Sequence, residues 1–128
     1  VRTASERPKT LLDLGSDTVV CFLIQTVENS QPAEEAGPCI RFFKRKTHSE
    51  SLLKEGKFSF SVLGMGDSNL LLDRQTTTAK DCNQAAQELD ARLQTLGASP
   101  CHPLGMTDER TDLKEVEPWI NSFWKSIQ

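Results

Sequence analysis

The sequence predicts an α/β domain built on a parallel sheet with helices on both faces. Three observations predict it. Thr18-Val19-Val20-Cys21-Phe22-Leu23-Ile24 is a continuous β-branched and apolar run without polar alternation, the pattern of a strand covered on both faces. Lys57 to Leu63 is a second strand that runs straight into the glycine-containing loop Gly64-Met65-Gly66-Asp67-Ser68-Asn69. An amphipathic helix is predicted over 81–96, with Cys82, Ala85, Ala86, Leu89, Leu93 and Leu96 on one face and Gly97 as its C-terminal cap. Strands that alternate with helices favour parallel pairing. Right-handed crossovers then bring the strand exits to one edge.

The remaining elements follow in chain order. Thr10 to Leu14 reads as a short helical turn, punctuated by Gly15-Ser16-Asp17. Residues 25–31 form a polar loop. A helix with Ala36, Ile40 and Phe43 at helical spacing ends near Lys46, and its regular part starts at Pro38, in the first-turn position that proline tolerates. Residues 47–56 read as a polar linker and 70–80 as a loose insertion, with threonine at 76–78. Ser99 to Leu104 is a short third strand, placed at an edge by Pro100 and Pro103. The last helix is expected to bury Leu113, Val116, Ile120, Phe123, Trp124 and Ile127, with Asp112 and Glu115 resembling a capping box. Pro118 requires either a kink or a regular helix that begins near Glu117. In open α/β sheets ligands bind at the strand exits, so 25–31, 64–72 and 104–110 form the candidate site.

The 128 residues suit a single domain, 1–128. A formal net charge of −3 supplies no positive field for nucleic acid or anionic lipid. The basic run Lys44-Arg45-Lys46 reads as a solvated helix end. No apolar run approaches the ~20 residues of a membrane span. Val1-Arg2-Thr3-Ala4 carries no signal-peptide core, and the expected location is cytoplasmic. Cys21, Cys39, Cys82 and Cys101 form no C-x-x-C, and only His48 and His102 could assist them. No metal site is therefore expected, and reduced thiols are. No Ser/His/Asp or Cys/His arrangement stands out, so no catalytic acid, base or nucleophile is expected.

Beyond Gly64–Asn69, three segments follow in order: Asp81-Cys82-Asn83, then Leu89-Asp90-x-Arg92-Leu93-Gln94-x-Leu96-Gly97-Ala98, then Glu117-Pro118-Trp119-Ile120-x-x-x-Trp124. Together they resemble the C-terminal half of the FMN-binding, flavodoxin-like domain of the NADPH-dependent diflavin reductases. The similarity is strong over about 57–127 and weaker over 18–45, where Pro32-Ala33-Glu34-Glu35-Ala36 resembles the segment after the family's second flavin loop. The resemblance implies a three-layer αβα fold with strand order 2-1-3-4-5 and FMN at the switch point between strands 1 and 3. The strands seen here would be 3, 4 and 5. Strands 1 and 2 and the phosphate-binding loop have no counterpart in residues 1–17, and the chain has no initiating methionine. That N-terminal part is expected to be disordered or outside the sequence, which would leave one edge of the 18–24 strand open.

The resemblance also nominates FMN-contacting residues: Thr26, Val27, Glu28, Asn29, Gly64, Met65, Gly66, Asp67, Asn69, Leu70, Cys82 and Asn83. Two departures accompany them. The family's second-loop glycines are replaced by Glu28 and Ser30, and the ring-stacking aromatic of the third loop by Leu70. Glutamate crowds a backbone approach and places negative charge near an anionic cofactor. Asp67 either shapes its loop or touches flavin, and Asn83 either caps a helix or reaches flavin. Trp119 and Trp124 read as core. Asp108 and Glu109 read as solvated surface or as a docking point for a basic partner, and His102 as structural or exposed.

The implied function is FMN-mediated electron transfer. A partner FAD/NADPH-binding reductase domain would feed electrons to this module, which would pass them singly to an acceptor protein, the cofactor carrying the chemistry. Two other readings stay open. One is a flavin-free interaction domain that kept the fold for docking. The other is a flavodoxin-like appendage of a larger enzyme, such as an iron–sulfur radical enzyme acting on tRNA.

Overall fold

The computed structural model describes residues 8–15, 17–28, 31–32, 34–49, 51–54, 57–68 and 82–127. The expected insertion at 70–80 lies outside them. Strand β1 (Val19–Glu28) lies parallel to β3 (Ser59–Gly66), in register from Val19 opposite Ser59 to Gln25 opposite Met65. On its other side β3 pairs in parallel with β4 (Ser99–Pro100) and then with β5 (Gly105–Asp108). A two-residue strand β2 (Gln31–Pro32) folds back antiparallel on the far edge of β1. The three long-range strand positions are thus consecutive and parallel, as the flavodoxin-like reading expects for strands 3, 4 and 5.

Helices α1 (Gly37–Phe43) and α2 (Gln84–Thr95) cover one face of this sheet. Phe22, Ile24, Phe60 and Val62 from the strands meet Ile40, Phe43, Ala85, Ala86, Leu89 and Leu93 from the helices in one buried core. Burial of each large side chain there contributes roughly 1.5–3 kcal/mol. The rings of Phe22 and Phe43 meet edge to face with centroids 6.3 Å apart, a favoured aromatic geometry. Helix α3 (Val116–Ser126) lies on the opposite face, where Trp119 rests against Gly105 and close to Leu63. The three layers are therefore helix, sheet and helix.

Several expectations need correction. Among the described residues strand β1 is covered on one face only: Phe22, Ile24 and Thr26 are buried, while Val19, Leu23 and Val27 are 39%, 59% and 42% exposed. The cause is the position of α3, which packs on β5. The third strand is not the continuous piece 99–104. It breaks after Pro100, passes through Cys101 to Leu104 and resumes at Gly105, because prolines cannot donate to the ladder. The second strand continues through Gly66, so its two glycines are strand residues rather than loop residues.

Trp124 is not core: it is 55% exposed. Helix α3 seats itself through Trp119 and Phe123, one turn apart and stacked at 5.3 Å. A residue one step further points about 100° away. Pro118 falls in the first turn of α3, so the helix begins before it without a kink. The expected capping box is not formed: Glu115 precedes α3 without a side-chain cap, and its Oε1 accepts from the Thr111 hydroxyl at 2.8 Å. Asp112 instead takes a left-handed conformation with φ 57°.

Other expectations hold. A 3-10 turn spans Pro8–Asp13, and Gly97 ends α2 with φ 97°, a conformation that favours glycine. Arg92 joins the two inner helices. Its Nε donates to Phe43 O at 2.7 Å and its Nη2 to Arg45 O at 2.9 Å, satisfying carbonyls at the end of α1. Replacing Arg92 with Ala is expected to cost about 1–3 kcal/mol in urea denaturation. Lys44→Ala, which removes only the half-exposed pair with Glu88, is expected to cost under about 1 kcal/mol.

Candidate functional site

The parallel order brings three chain segments to one rim: Thr26 to Glu28 at the end of β1, Gly66 to Ser68 at the end of β3 and just beyond it, and Asp108 to Thr111 at the end of β5 and just beyond it. The start of α2 sits directly beneath them. Gly64 and Gly66 make this seating possible. A Cβ on Gly64 would stand 2.6 Å from Asn83 Oδ1 and 2.7 Å from Ala86 Cβ, and a Cβ on Gly66 would collide with the carbonyl of Cys82. The glycines therefore allow a helix start to approach a strand end closely.

Polar bonds lock this seating. The N–H of Ala85, in the first turn of α2, donates to the Thr26 hydroxyl at 3.2 Å. Asn83 precedes α2, but its side chain makes no capping bond to the helix. Its Nδ2 donates instead to Thr107 O at 2.8 Å. Thr107 Oγ1 in turn donates to Gly64 O at 2.9 Å. Helix α2 and strands β1, β3 and β5 are thereby tied at a single point. Capping, one of the two roles expected for Asn83, is not what these bonds serve: the side chain braces the exit of β5.

Asp108 closes the rim. Its Oδ1 accepts from Ser68 N at 2.9 Å and from Arg110 N at 3.0 Å, and the residue is only 6% exposed. Burial works against its charged form, but the Ser68 side chain and N–H, the Arg110 N–H and the Arg110 charge together outweigh it. They hold the carboxyl below the usual carboxylate range. Neither role expected for Asp108, solvated surface or docking point, matches a buried clamp. Glu109 beside it is exposed. The missed signal was positional: an aspartate at a strand exit, followed by a tight turn, is placed to accept backbone N–H groups from neighbouring loops.

The nominated residues divide into four sets. Thr26, Gly64, Gly66, Cys82 and Asn83 are buried together around the start of α2. Val27, Met65 and Asp67 reach the surface of the rim, Val27 the most exposed of them. Glu28 is the last residue of β1 and pairs with Gln31 across a register irregularity. Asn29, Asn69 and Leu70 lie outside the described residues. Elsewhere, Cys39 is buried and its thiol is pushed up to about 11 by that burial. Among the described residues no group of three His, Cys, Asp or Glu is placed to hold a metal ion, and no helix is long and apolar enough to cross a membrane.

No family model matches the chain. It is 30% identical over 118 residues to methionine synthase reductase of Bos taurus, a match that takes in 91% of this chain and 15% of that protein. It is 27% identical over 120 residues to NADPH-dependent diflavin oxidoreductase 1 of Bos taurus, covering 91% of the chain and 18% of the relative. With the same-named protein of Dictyostelium discoideum it shares 32% over 111 residues, 84% of the chain and 16% of the relative. The chain is a relative of the diflavin reductases. It spans less than one fifth of the length of these relatives.

Two predictions follow from the rim. Gly66→Ala is expected to destabilise the fold by about 1–3 kcal/mol through overpacking, read from the urea midpoint. The Asp108 contribution has a definite sign with pH. Its folded pKa is lowered from 3.8, so the stabilisation is present above that value and disappears as pH falls through it toward the lower folded pKa. The stability gap between the wild-type chain and Asp108→Asn is expected to be constant near neutrality and to narrow below about pH 4, measured by urea titrations at several pH values.

Proposed function

We propose that this chain is the greater part of an FMN-binding electron-transfer module of an NADPH-dependent diflavin reductase, which passes single electrons to an acceptor protein. One observation carries the reading: the exits of three consecutive parallel strands meet at one rim, in a chain similar over nine-tenths of its length to proteins whose names describe two flavins. When bound, FMN supplies the electron-carrying chemistry, and the protein supplies binding and orientation.

The described rim residues fit the ring end of such a cofactor. Val27 offers an apolar surface, and the backbone at Met65 to Asp67 ends at the same rim. They fit the phosphate end poorly. The start of α2 is the nearest helix N-terminus, and it is packed under Thr26, Gly64 and Gly66. Asp67 adds negative charge at the rim. The phosphate would therefore be held by sequence beyond these residues, with the FAD- and NADPH-binding parts on a separate domain.

The competing reading, a docking domain that no longer takes flavin, draws support from the same packed helix start. A protein that includes this chain within its full-length sequence decides between them. After incubation with FMN and gel filtration, the flavin absorbance band is expected to elute with the protein. Flavin that elutes separately would favour the docking domain.

A further inference from the structure

Strand β4 ends at Pro100 and β5 begins only at Gly105. The link between them passes beside the second half of α2 and leaves a cavity of about 240 Å³. Pro100, Pro103 and Leu104 give it apolar walls, and Asp90 and Gln94, one turn apart on α2, line it as well. Strand β4 pairs with Ser59 and Phe60 at the start of β3, so the cavity lies toward the end of the sheet away from the rim. Its polar groups are one-sided. Gln94 Nε2 donates to Asp90 Oδ2 at 3.0 Å, and the Cys101 thiol donates to Ser61 Oγ at 3.8 Å. Among the described residues, Asp90 Oδ1 and Gln94 Oε1 are left as acceptors. The one ion pair among those residues joins Lys44 to Glu88, so Asp90 meets no cation there. Burial pushes the Asp90 carboxyl up, and the Gln94 bond offsets only part of that. The charged form is therefore held here without full compensation.

We propose that this cavity receives one arginine side chain of a partner protein. Its size decides against a cofactor, since sites for small molecules run roughly 300–1,000 Å³. Its charge decides for a cation: the acceptors belong to a chain of net charge −3, and no lysine or arginine lines the cavity. Arginine suits it better than lysine. The planar fork of guanidinium donors can reach two acceptors one helical turn apart, and the aliphatic stem can lie along proline and leucine walls. His102 adds a flat wall, and its ring is held edge to face against Trp119 with centroids 5.3 Å apart. Gln94, Pro100 and Pro103 at the mouth are exposed, so a protein surface can close over the pair and exclude water from it. A partner seated here leaves the rim clear, and the inference does not depend on flavin.

Amide chemical shifts of the isotope-labelled chain, titrated with N-acetyl-arginine N-methylamide, test it. The blocked residue stands in for an arginine within a protein chain. Saturable shifts confined to residues 90–94 and 100–104 are expected, at millimolar concentrations because one side chain supplies only part of an interface. Blocked citrulline, which keeps the shape without the charge, should produce none. Asp90→Asn should weaken the binding about tenfold or more, and Gln94→Met should weaken it less. Neither substitution should change the circular dichroism, since neither side chain belongs to the buried core. No saturable shift, an equal response to citrulline, or undiminished binding by Asp90→Asn would overturn the proposal. Free arginine bound more tightly than the blocked residue would also overturn it, because the cavity would then suit a small molecule with its own ammonium and carboxylate.

Discussion

The rim depends on how closely the start of α2 can approach the end of β3. Two strand glycines, Gly64 and Gly66, remove the side chains that would hold Asn83, Ala86 and the Cys82 carbonyl away. With that approach made, buried polar groups find partners in fixed order: Ala85 N–H on Thr26, Asn83 on Thr107, Thr107 on Gly64 and Ser68 N–H on Asp108. Each bond crosses from one strand exit or helix start to another. Because buried polar groups are costly when unpaired, these bonds specify one arrangement of the rim.

The same seating governs the functional reading. A helix N-terminus is a natural anion site when its first N–H groups face open space. Here the first turn of α2 is spent on the protein's own hydroxyl and lies under strand glycines. What remains at the surface is a partly apolar rim with a negative residue, suited to the flat end of a flavin and unsuited to a phosphate.

The sheet and its direction were legible because continuous apolar runs and amphipathic helices alternate along the chain. The one-sided burial of β1 was not. Thr18 to Ile24 has the composition of a doubly covered strand, and nothing in its own residues records that α3 packs on β5 instead. Trp124 failed for a related reason. Trp119, Phe123 and Trp124 all fit an apolar stripe, and only the seating of α3 on Gly105 decides which of them turn inward. At the site the glycine pattern was visible, but its purpose came from a helix start nearly twenty residues later. Asp108 was hidden because one of its partners, Ser68, comes from a loop forty residues away that only the parallel order brings beside it, while Arg110 lies in its own turn.

In the proposed function the exits of β1, β3 and β5 act as one ligand-facing rim. Amide chemical shifts recorded while FMN is titrated into the isotope-labelled chain test this most directly. Perturbations confined to residues 26–28, 65–68 and 108–111, saturating together, are the predicted result. Shifts at the opposite end of the strands, or spread over α1 and α3 with the rim unaffected, would contradict it.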